Sequence, residues 1–194
     1  METPVLILLG YLIGSVPNGY LLGKLAGVDI QNVGSGNIGA ANVARTLGKW
    51  QGALTLVADA AKGFLPVFVA LELGLSSVNL ALVAIAAFLG HLYPVFLKFR
   101  GGKGVATGLG ALLALAPLAT AVLIVVFAAV ALSTRLVSLS SIAAAVATPV
   151  ILWLFNQQAV IVGVGLFFGA MITLRHRSNI QRILAGTEPR FGSR

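Results

Sequence analysis

The chain consists mainly of apolar runs that are close to the length needed to cross a membrane. About 20 apolar residues in a helix span the hydrocarbon core of a bilayer. The runs lie at residues 5–25, 52–73, 78–97, 105–133, 136–155 and 159–174. Because every backbone polar group must be satisfied inside the lipid, such runs form helices. The pattern therefore predicts an all-α polytopic membrane protein, in which residues 1–194 form a single domain.

The fourth run, residues 105–133, is longer than one crossing requires. Ala116 and Pro117 lie near its middle, and proline removes a backbone hydrogen bond and disfavours helix in the residue before it. We expect two short helices here, with one tilted and kinked helix as the alternative. Broken membrane helices often mark binding sites, since their freed backbone groups need polar surroundings.

The basic residues predict the topology. The connections at residues 74–77 and 156–158 contain no Lys or Arg. The basic connections lie at residues 24–49, 98–103, 135 and 175–194. The positive-inside rule places the basic connections in the cytoplasm. Six crossings would leave the basic C-terminus outside, so we predict about seven transmembrane helices, with the N-terminus outside and the C-terminus cytoplasmic.

Composition and charge agree with a membrane protein. Hydrophobic residues make up 58% of the chain and charged residues 9%, which does not suit a soluble domain. The net charge of +8 comes from residues at the ends of apolar runs, so it does not indicate nucleic-acid binding. The chain has no cysteine, two histidines and five acidic residues, so we expect no disulfide and no metal site.

Two polar features lie within the apolar runs. Asp59 and Lys62 are three residues apart, so on a helix they share a face and can pair, which lowers the cost of burying either charge. We interpret the pair as structural, with a functional intramembrane role as the alternative. Residues 17–19, Pro-Asn-Gly, are expected to kink the first helix, either for packing or to form an acyl-chain groove.

Three glycine-containing polar segments interrupt the apolar background, each with Arg or Lys. The first segment, residues 34–45, has the sequence GSGNIGAANVAR, the second, residues 98–107, is KFRGGKGVAT, and the third, residues 175–188, is RHRSNIQRILAGTE. Glycines permit close approach, so consecutive N–H groups can converge on an anion while Lys and Arg supply charge. This combination predicts phosphate binding.

In the first segment, the residues after Gly39 are expected to form a short helix whose N-terminus faces the glycine turn. Ser35 and Asn37 can cap this helix or donate hydrogen bonds, and Arg45 can reach a phosphate oxygen. The alternative is a capped, irregular turn between two spans. The predicted substrate-binding residues here are Gly34, Gly36, Asn37, Gly39 and Asn42.

The second segment surrounds Lys103 with glycines at the start of the broken run. It resembles a nucleotide P-loop only superficially, because a glycine follows the lysine and no strand precedes it. We expect an anion cradle with Lys103 as a point charge, and a simple basic turn is the alternative. The predicted substrate-binding residues here are Arg100, Gly101, Gly102, Gly104 and Thr107.

In the third segment, His176 and Asn179 share a face at helical spacing. That face presents a group titrating near neutrality and an amide to one ligand. A structural histidine is the alternative. The other histidine, His91, is interpreted as a helix-end residue.

Taken together, the segments closely resemble the three signature regions of the bacterial membrane glycerol-3-phosphate acyltransferases that use acyl phosphate, the PlsY family. Ser35 and Arg45 match the first region, residues 101–107 match the second, and the third region is matched by His176, Asn179 and Glu188. Ser141 lies in a further stretch that resembles the family, whereas Ala41 stands where the family usually has threonine.

The resemblance implies a seven-helix protein of the bacterial cytoplasmic (inner) membrane, with all three segments on the cytoplasmic side. It implies transfer of a fatty acyl group from acyl phosphate to the 1-hydroxyl of glycerol 3-phosphate, giving 1-acylglycerol 3-phosphate (lysophosphatidic acid) and inorganic phosphate. No metal or organic cofactor is implied. The expected partners are the two substrates and membrane lipid.

The residues fit this chemistry. Arg45 and Lys103 are expected to stabilise the leaving phosphate, and Ser35 to donate a hydrogen bond. His176 is the best general base in the sequence, but Ile180 stands where an aspartate would complete a His-Asp pair. A substrate phosphate can accept the proton instead, with His176 and Asn179 positioning glycerol 3-phosphate. We expect Glu188 to be structural and Ser141 to contact substrate.

Two other classes remain open on the sequence. A small phosphate or organophosphate transporter also uses broken helices and basic glycine loops, but it needs binding charge near the middle of the membrane. A structural protein that binds anionic lipid would explain the basic connections but not the glycines.

Overall fold

The computed structural model describes residues 2–192, and all regular secondary structure in that range is helical. The helices form two compact units, one ending at Leu115 and the other beginning at Ala116. The predicted all-α class is confirmed.

The first unit is built around the long helix α4. Its helices are α1 (Glu2–Gly14), α2 (Asn18–Leu25), α3 (Ala40–Thr46), α4 (Lys49–Glu72), α5 (Ser77–Leu92), a 3-10 turn (Val95–Leu97) and α6 (Val105–Leu115). The helix α4 packs against α6, α3, α5 and α1. The regular helix is interrupted between α1 and α2, immediately before the predicted site of a kink at residues 17–19.

Glycines allow the helices of the first unit to approach closely. A methyl group added at Gly14 of α1 would overlap the Ala87 carbonyl of α5, and one at Gly63 of α4 would overlap the Thr107 carbonyl of α6. Small residues at such contacts are typical of membrane helices, because close packing holds helices together where lipid removes the hydrophobic driving force.

The second unit contains α7 (Pro117–Thr134), α8 (Val137–Leu154), α9 (Ala159–Arg175) and α10 (Arg177–Leu184). The central helix α8 packs against both α7 and α9. At His176 the chain bends by 58° from α9 into α10. The short helix α10 also contacts α8 and α9.

Several helices are long and apolar enough to cross a membrane. In the described range there are five such segments, Thr3–Leu25, Lys49–Glu72, Ser77–Leu97, Pro117–Thr134 and Val137–Leu154, and the bent pair of α9 and α10 would make six. The helix α6 is apolar but has only 11 residues, about 16 Å at 1.5 Å per residue, against a hydrocarbon core of about 30 Å.

The predicted break in the fourth run is confirmed, because α6 ends at Leu115 and α7 begins at Pro117. Large apolar side chains are exposed on both units, including Val57 on α4 and Leu118 and Leu132 on α7. Extensive exposed apolar surface is rare on soluble proteins and suits contact with lipid. The count of seven crossings, their sidedness and the single domain stay predictions.

Candidate functional site

The first segment forms a tight loop that leads into α3. Gly34 and Gly36 have φ angles of 63° and 68°, in the left-handed region that favours glycine. The helix begins at Ala40, as predicted, but Gly39 occupies its N-cap position and no side chain caps it. The Gly39 N–H instead donates to Asn37 Oδ1 at 2.8 Å. Ser35 and Asn37 therefore do not cap α3, and donation of a hydrogen bond to substrate, the other half of the expectation, stays a prediction.

The Asn42 side chain holds the loop in place through hydrogen bonds to three backbone groups. Its Oδ1 accepts a hydrogen bond from the Ser35 N–H at 2.9 Å. Its Nδ2 donates to the carbonyls of Ile30 at 3.2 Å and Val33 at 3.0 Å. The residue is only 2% exposed. Its amide therefore organises the loop, and direct contact with a substrate stays a prediction.

Ser35 in the loop and Arg45 on α3 both lie at the surface of the first segment. Both residues are exposed. The Arg45 Nε donates to the Ala41 carbonyl at 3.1 Å, one turn earlier in α3. This bond orients the guanidinium, which can still present a planar set of donors to a phosphate.

The first and second segments are neighbours in the first unit. Beneath the first segment, a buried apolar cluster contains Ile30, Ile38 and Val43, and Leu97 packs against it from just before the second segment. The Gln31 Nε2 also donates to the Arg100 carbonyl at 3.3 Å. The two basic glycine segments are thus neighbours through contacts between residues that are far apart in the sequence.

The glycines of the second segment lie against the end of α5. The Gly102 N–H donates to the His91 carbonyl at 3.1 Å, and a methyl group at Gly102 would overlap the His91 ring. Gly104 has a φ of 87°, and a methyl group there would lie 2.7 Å from Phe88 Cζ. Close packing on α5 therefore requires glycine at both positions, independently of any ligand.

The other predicted residues of the second segment differ in accessibility. Arg100 is exposed and Lys103 is partly buried. Thr107 is fully buried on α6, and its hydroxyl makes no hydrogen bond. A contact between Thr107 and substrate stays a prediction that this conformation does not favour.

A buried polar cluster lies behind the second segment. Lys62 Nζ and Asp59 Oδ1 are 2.9 Å apart, so the predicted pair forms. The pair has further neighbours that sequence reasoning missed, because Asn18 Nδ2 donates to Asp59 Oδ1 at 3.0 Å and His91 Nδ1 lies 3.8 Å from that oxygen. His91 is in the last turn of α5, as predicted.

The third segment belongs to the second unit and places His176 at the bend between α9 and α10. His176 is 3% exposed, and its Nδ1 lies 2.8 Å from the Ile172 carbonyl oxygen. A carbonyl only accepts, so we assign the proton of the neutral ring to Nδ1. Nε2 then carries the lone pair, and the Ile172 carbonyl orients the ring.

Asn179 is fixed by Glu188, which closes the third segment. Asn179 Nδ2 donates to one Glu188 oxygen at 2.6 Å, and Arg182 Nε donates to the other at 2.7 Å. Burial raises the pKa of the Glu188 carboxyl, but the neighbouring Ser138 hydroxyl, the hydrogen bonds from Asn179 and Arg182 and the charge of Arg182 outweigh burial and bring the pKa below its ordinary value. The Ser138 hydroxyl makes no bond of ordinary geometry, so Asn179 and Arg182 are the firm contacts.

Ser141 lies on α8 of the second unit and is 4% exposed. Its hydroxyl donates to the Val137 carbonyl at 2.9 Å, one turn earlier. A role in substrate binding stays a prediction. Within residues 2–192, no three histidine or acidic side chains come together as metal ligands.

Comparisons with known proteins agree along nearly the whole chain. The family described as Glycerol-3-phosphate acyltransferase matches residues 4–186. The glycerol-3-phosphate acyltransferase of Geobacter metallireducens is 52% identical, over 98% of this chain and 99% of the relative. That of Geotalea daltonii is 46% identical over 96% of both chains, and that of Aquifex aeolicus is 42% identical over 98% of this chain and 100% of the relative.

Two solved structures share the fold. One is the glycerol 3-phosphate form of PlsY (YgiH), an integral membrane glycerol 3-phosphate acyltransferase, with a TM-score of 0.96 and 42% identity over 99% of this chain and 96% of that chain. The other is the lysphosphatidic acid form, with a TM-score of 0.93 and 41% identity over the same shares. These matches confirm the resemblance noted in the signature segments. The chain therefore belongs to the glycerol-3-phosphate acyltransferase family, and it is an integral membrane enzyme.

Proposed function

We propose that this enzyme transfers a fatty acyl group from acyl phosphate to the 1-hydroxyl of glycerol 3-phosphate. The observation that carries the proposal is the match, over almost the full length, to a PlsY structure in its glycerol 3-phosphate form and to another in its lysphosphatidic acid form. The acyl phosphate donor is supported by the resemblance of the three signature segments to the PlsY family. The products are lysophosphatidic acid and inorganic phosphate.

In this reaction, stabilising the charge on the developing oxyanion and on the leaving phosphate matters more than activating the nucleophile. The 1-hydroxyl oxygen forms a bond to the acyl carbon, and the bond from that carbon to the phosphate oxygen breaks. The hydroxyl proton goes to a base, and phosphate leaves with the electron pair of the broken bond. Because acyl phosphate is an activated mixed anhydride, donors aimed at the developing oxyanion and at the leaving phosphate supply the main stabilisation.

Two basic residues are assigned to the charge that develops in this step. Arg45 and Lys103 stand in the two adjacent basic segments, and we assign them to the leaving phosphate. The exposed Ser35 hydroxyl is assigned as a hydrogen-bond donor to substrate. Lys49, an exposed lysine at the start of α4 and outside the polar segments, offers a matched control, since Lys49→Gln should retain the activity that Lys103→Gln loses.

We assign His176 and Asn179 to binding glycerol 3-phosphate. Their positions are fixed by the Ile172 carbonyl and by Glu188. With Nδ1 protonated, His176 Nε2 can accept a hydrogen bond from a substrate hydroxyl. A phosphate oxygen of the substrate is the proposed final proton acceptor, because Ile180 stands where an aspartate would complete a His-Asp pair.

We place the enzyme in the bacterial cytoplasmic membrane, with the polar segments on the cytoplasmic side. The support is the distribution of basic connections, which the positive-inside rule assigns to the cytoplasm. Single cysteines near Gln31, Arg135 and Arg190 should react with an impermeant reagent only from inside, and one near Gln157 only from outside. Labelling near Gln31 and Arg190 from opposite sides would contradict this topology.

The reaction is tested with the purified protein, palmitoyl phosphate and glycerol 3-phosphate. Phosphate release should require both substrates, and mass spectrometry should identify palmitoylglycerol 3-phosphate. Palmitoyl-CoA and palmitoyl acyl carrier protein should not replace palmitoyl phosphate. Turnover with a thioester and none with acyl phosphate would overturn the proposal.

A further inference from the structure

His91 joins the buried polar cluster of the first unit to the glycine loop that carries Lys103. We propose that His91, supported by Asp59, is a positioning residue for the loop at residues 101–104 and thereby for the substrate phosphate that Lys103 binds. The proposal rests on the proposed function for the identity of that phosphate. Its structural part concerns the loop alone.

The polar cluster that supports His91 begins at the gap between α1 and α2. Lys62 Nζ donates to the Val16 carbonyl at 2.6 Å, and the Asn18 N–H donates to the same oxygen at 3.2 Å. The same ammonium pairs with Asp59 Oδ1 at 2.9 Å, and Asn18 donates to that oxygen. Asp59 and Lys62 are 2% and 5% exposed. Removing one partner of a buried ion pair strongly destabilises a protein, so this cluster is a stable support for its neighbours.

The Asp59 carboxylate is the part of this cluster that lies next to His91. Asp59 Oδ1 lies 3.8 Å from His91 Nδ1, which is too long for a direct hydrogen bond. The carboxylate therefore acts on the imidazole electrostatically, and its charge favours the ring orientation with Nδ1 facing α4. His91 is 3% exposed, so the ring is confined by packing as well.

The opposite side of His91 meets the glycine loop. The His91 carbonyl accepts the Gly102 N–H at 3.1 Å. The three atoms nearest to a methyl group placed on Gly102 would all belong to the His91 ring, with Cε1 at 2.8 Å. Since Lys103 is the next residue, any shift of Gly102 displaces the lysine backbone. The backbone carbonyl and the ring of His91 thus determine the distance between α5 and the loop at residues 101–104.

If His91 served helix packing alone, the contact between its ring and Gly102 would not be needed. The ion pair and Asn18 already join α4 to the gap between α1 and α2. The contact of the His91 ring with Gly102 adds nothing to that junction, but it determines where the loop lies. The steric fit between His91 and Gly102 is therefore the property to test.

A double-mutant cycle measures this fit through kcat/KM. We expect Gly102→Ala to lower kcat/KM for the phosphate substrate about tenfold in the wild-type background, because its methyl group meets the ring. His91→Ala should itself lower kcat/KM about tenfold, yet adding Gly102→Ala to it should change the value less than about twofold, since the space is open. Equal effects of Gly102→Ala in both backgrounds would overturn the proposal.

Separate titration of the two substrates identifies the phosphate concerned. A rise in KM confined to glycerol 3-phosphate or to acyl phosphate assigns the loop to that substrate, and wild-type KM values with wild-type kcat in His91→Ala refute the positioning role. Gly163→Ala is the control, because apart from its own helical turn no atom of the described residues lies within 4 Å of the added methyl group, and it should leave the kinetics unchanged. If His91→Ala is not monodisperse, the smaller change His91→Asn takes its place in the cycle.

Hydrogen exchange tests the positioning without substrate. In His91→Ala and Asp59→Asn, amides in a peptide covering residues 98–104 should exchange about tenfold faster than in the wild type, while α4 and α5 stay protected. Unchanged loop exchange in both variants would overturn the proposal whatever the activity. A protected wild-type loop in a protein that releases no phosphate from acyl phosphate would refute the proposed function alone.

Discussion

Replacing Asn42 by alanine separates a role in holding the first segment from a role in binding substrate. The substitution removes the amide that joins Ser35, Ile30 and Val33. If Asn42 is a scaffold residue, the loop loses its order and the activity falls with it. If Asn42 is only a ligand, the activity falls and the loop stays ordered.

The size of the effect follows from three hydrogen bonds. Each contributes about 1 kcal/mol net, and a buried acceptor left unsatisfied costs about 1–3 kcal/mol. The Ile30 carbonyl belongs to a residue with 0% exposure, so water does not readily replace the lost donor. The loop should therefore be destabilised by about 3 kcal/mol or more, which corresponds to about a hundredfold change in its opening equilibrium.

Hydrogen exchange and steady-state kinetics measure the two quantities on the same protein. We expect the Ser35 amide to lose about a hundredfold of protection in Asn42→Ala, with a similar loss in kcat/KM. Asn42→Asp keeps the acceptor but turns an oxygen toward two carbonyls, so it should be no better. The matched control is Asn32→Ala, whose exposed side chain bonds only Asp29 locally. Wild-type protection of the loop in Asn42→Ala would refute the scaffold role.

The other predictions concern charge, binding and acid stability. Arg45→Gln and Lys103→Gln should each lower kcat/KM at least about a hundredfold, about 2.7 kcal/mol, and near-normal kinetics in both would leave these cations no role in the reaction. His176→Ala and Asn179→Ala should raise the KM for glycerol 3-phosphate more than they lower kcat, whereas normal binding with turnover about ten-thousandfold slower in His176→Gln would make the histidine the base. The pKa of Glu188 is lower in the folded protein than its ordinary value of 4.5, so its stabilisation is present above pH 4.5 and is lost as the pH falls through the folded pKa. Below pH 4.5 the Tm of the wild type should therefore fall more steeply than that of Glu188→Gln, and parallel curves would contradict this assignment.

Local rules were sufficient for the helices and their interruptions. Pro117 breaks the fourth apolar run because it lacks an N–H and restricts the preceding residue, and neither effect depends on distant contacts. The pairing of Asp59 with Lys62 follows in the same way from helical spacing. Both features were therefore predictable from the residues concerned and their immediate neighbours.

The glycines show where sequence reasoning is incomplete. Their pattern in the second segment was interpreted as an anion cradle, and in the structure Gly102 and Gly104 also have to be small because they pack on His91 and Phe88 of α5. A glycine selected for backbone freedom and one selected for close packing look alike in a sequence. Only the position of a neighbouring helix distinguishes them.

By itself, the sequence determined the membrane class, the helical breaks and the family, since hydrophobic length, proline chemistry and signature residues are local properties. The tertiary structure decided which polar side chains are buried supports and which are accessible. Asn42 lies beneath the first loop and His91 beneath the second, although nothing near either residue in the sequence indicates this. The physical reason is that burial and hydrogen bonding depend on contacts between segments far apart in the chain, and these contacts exist only once the helices have packed.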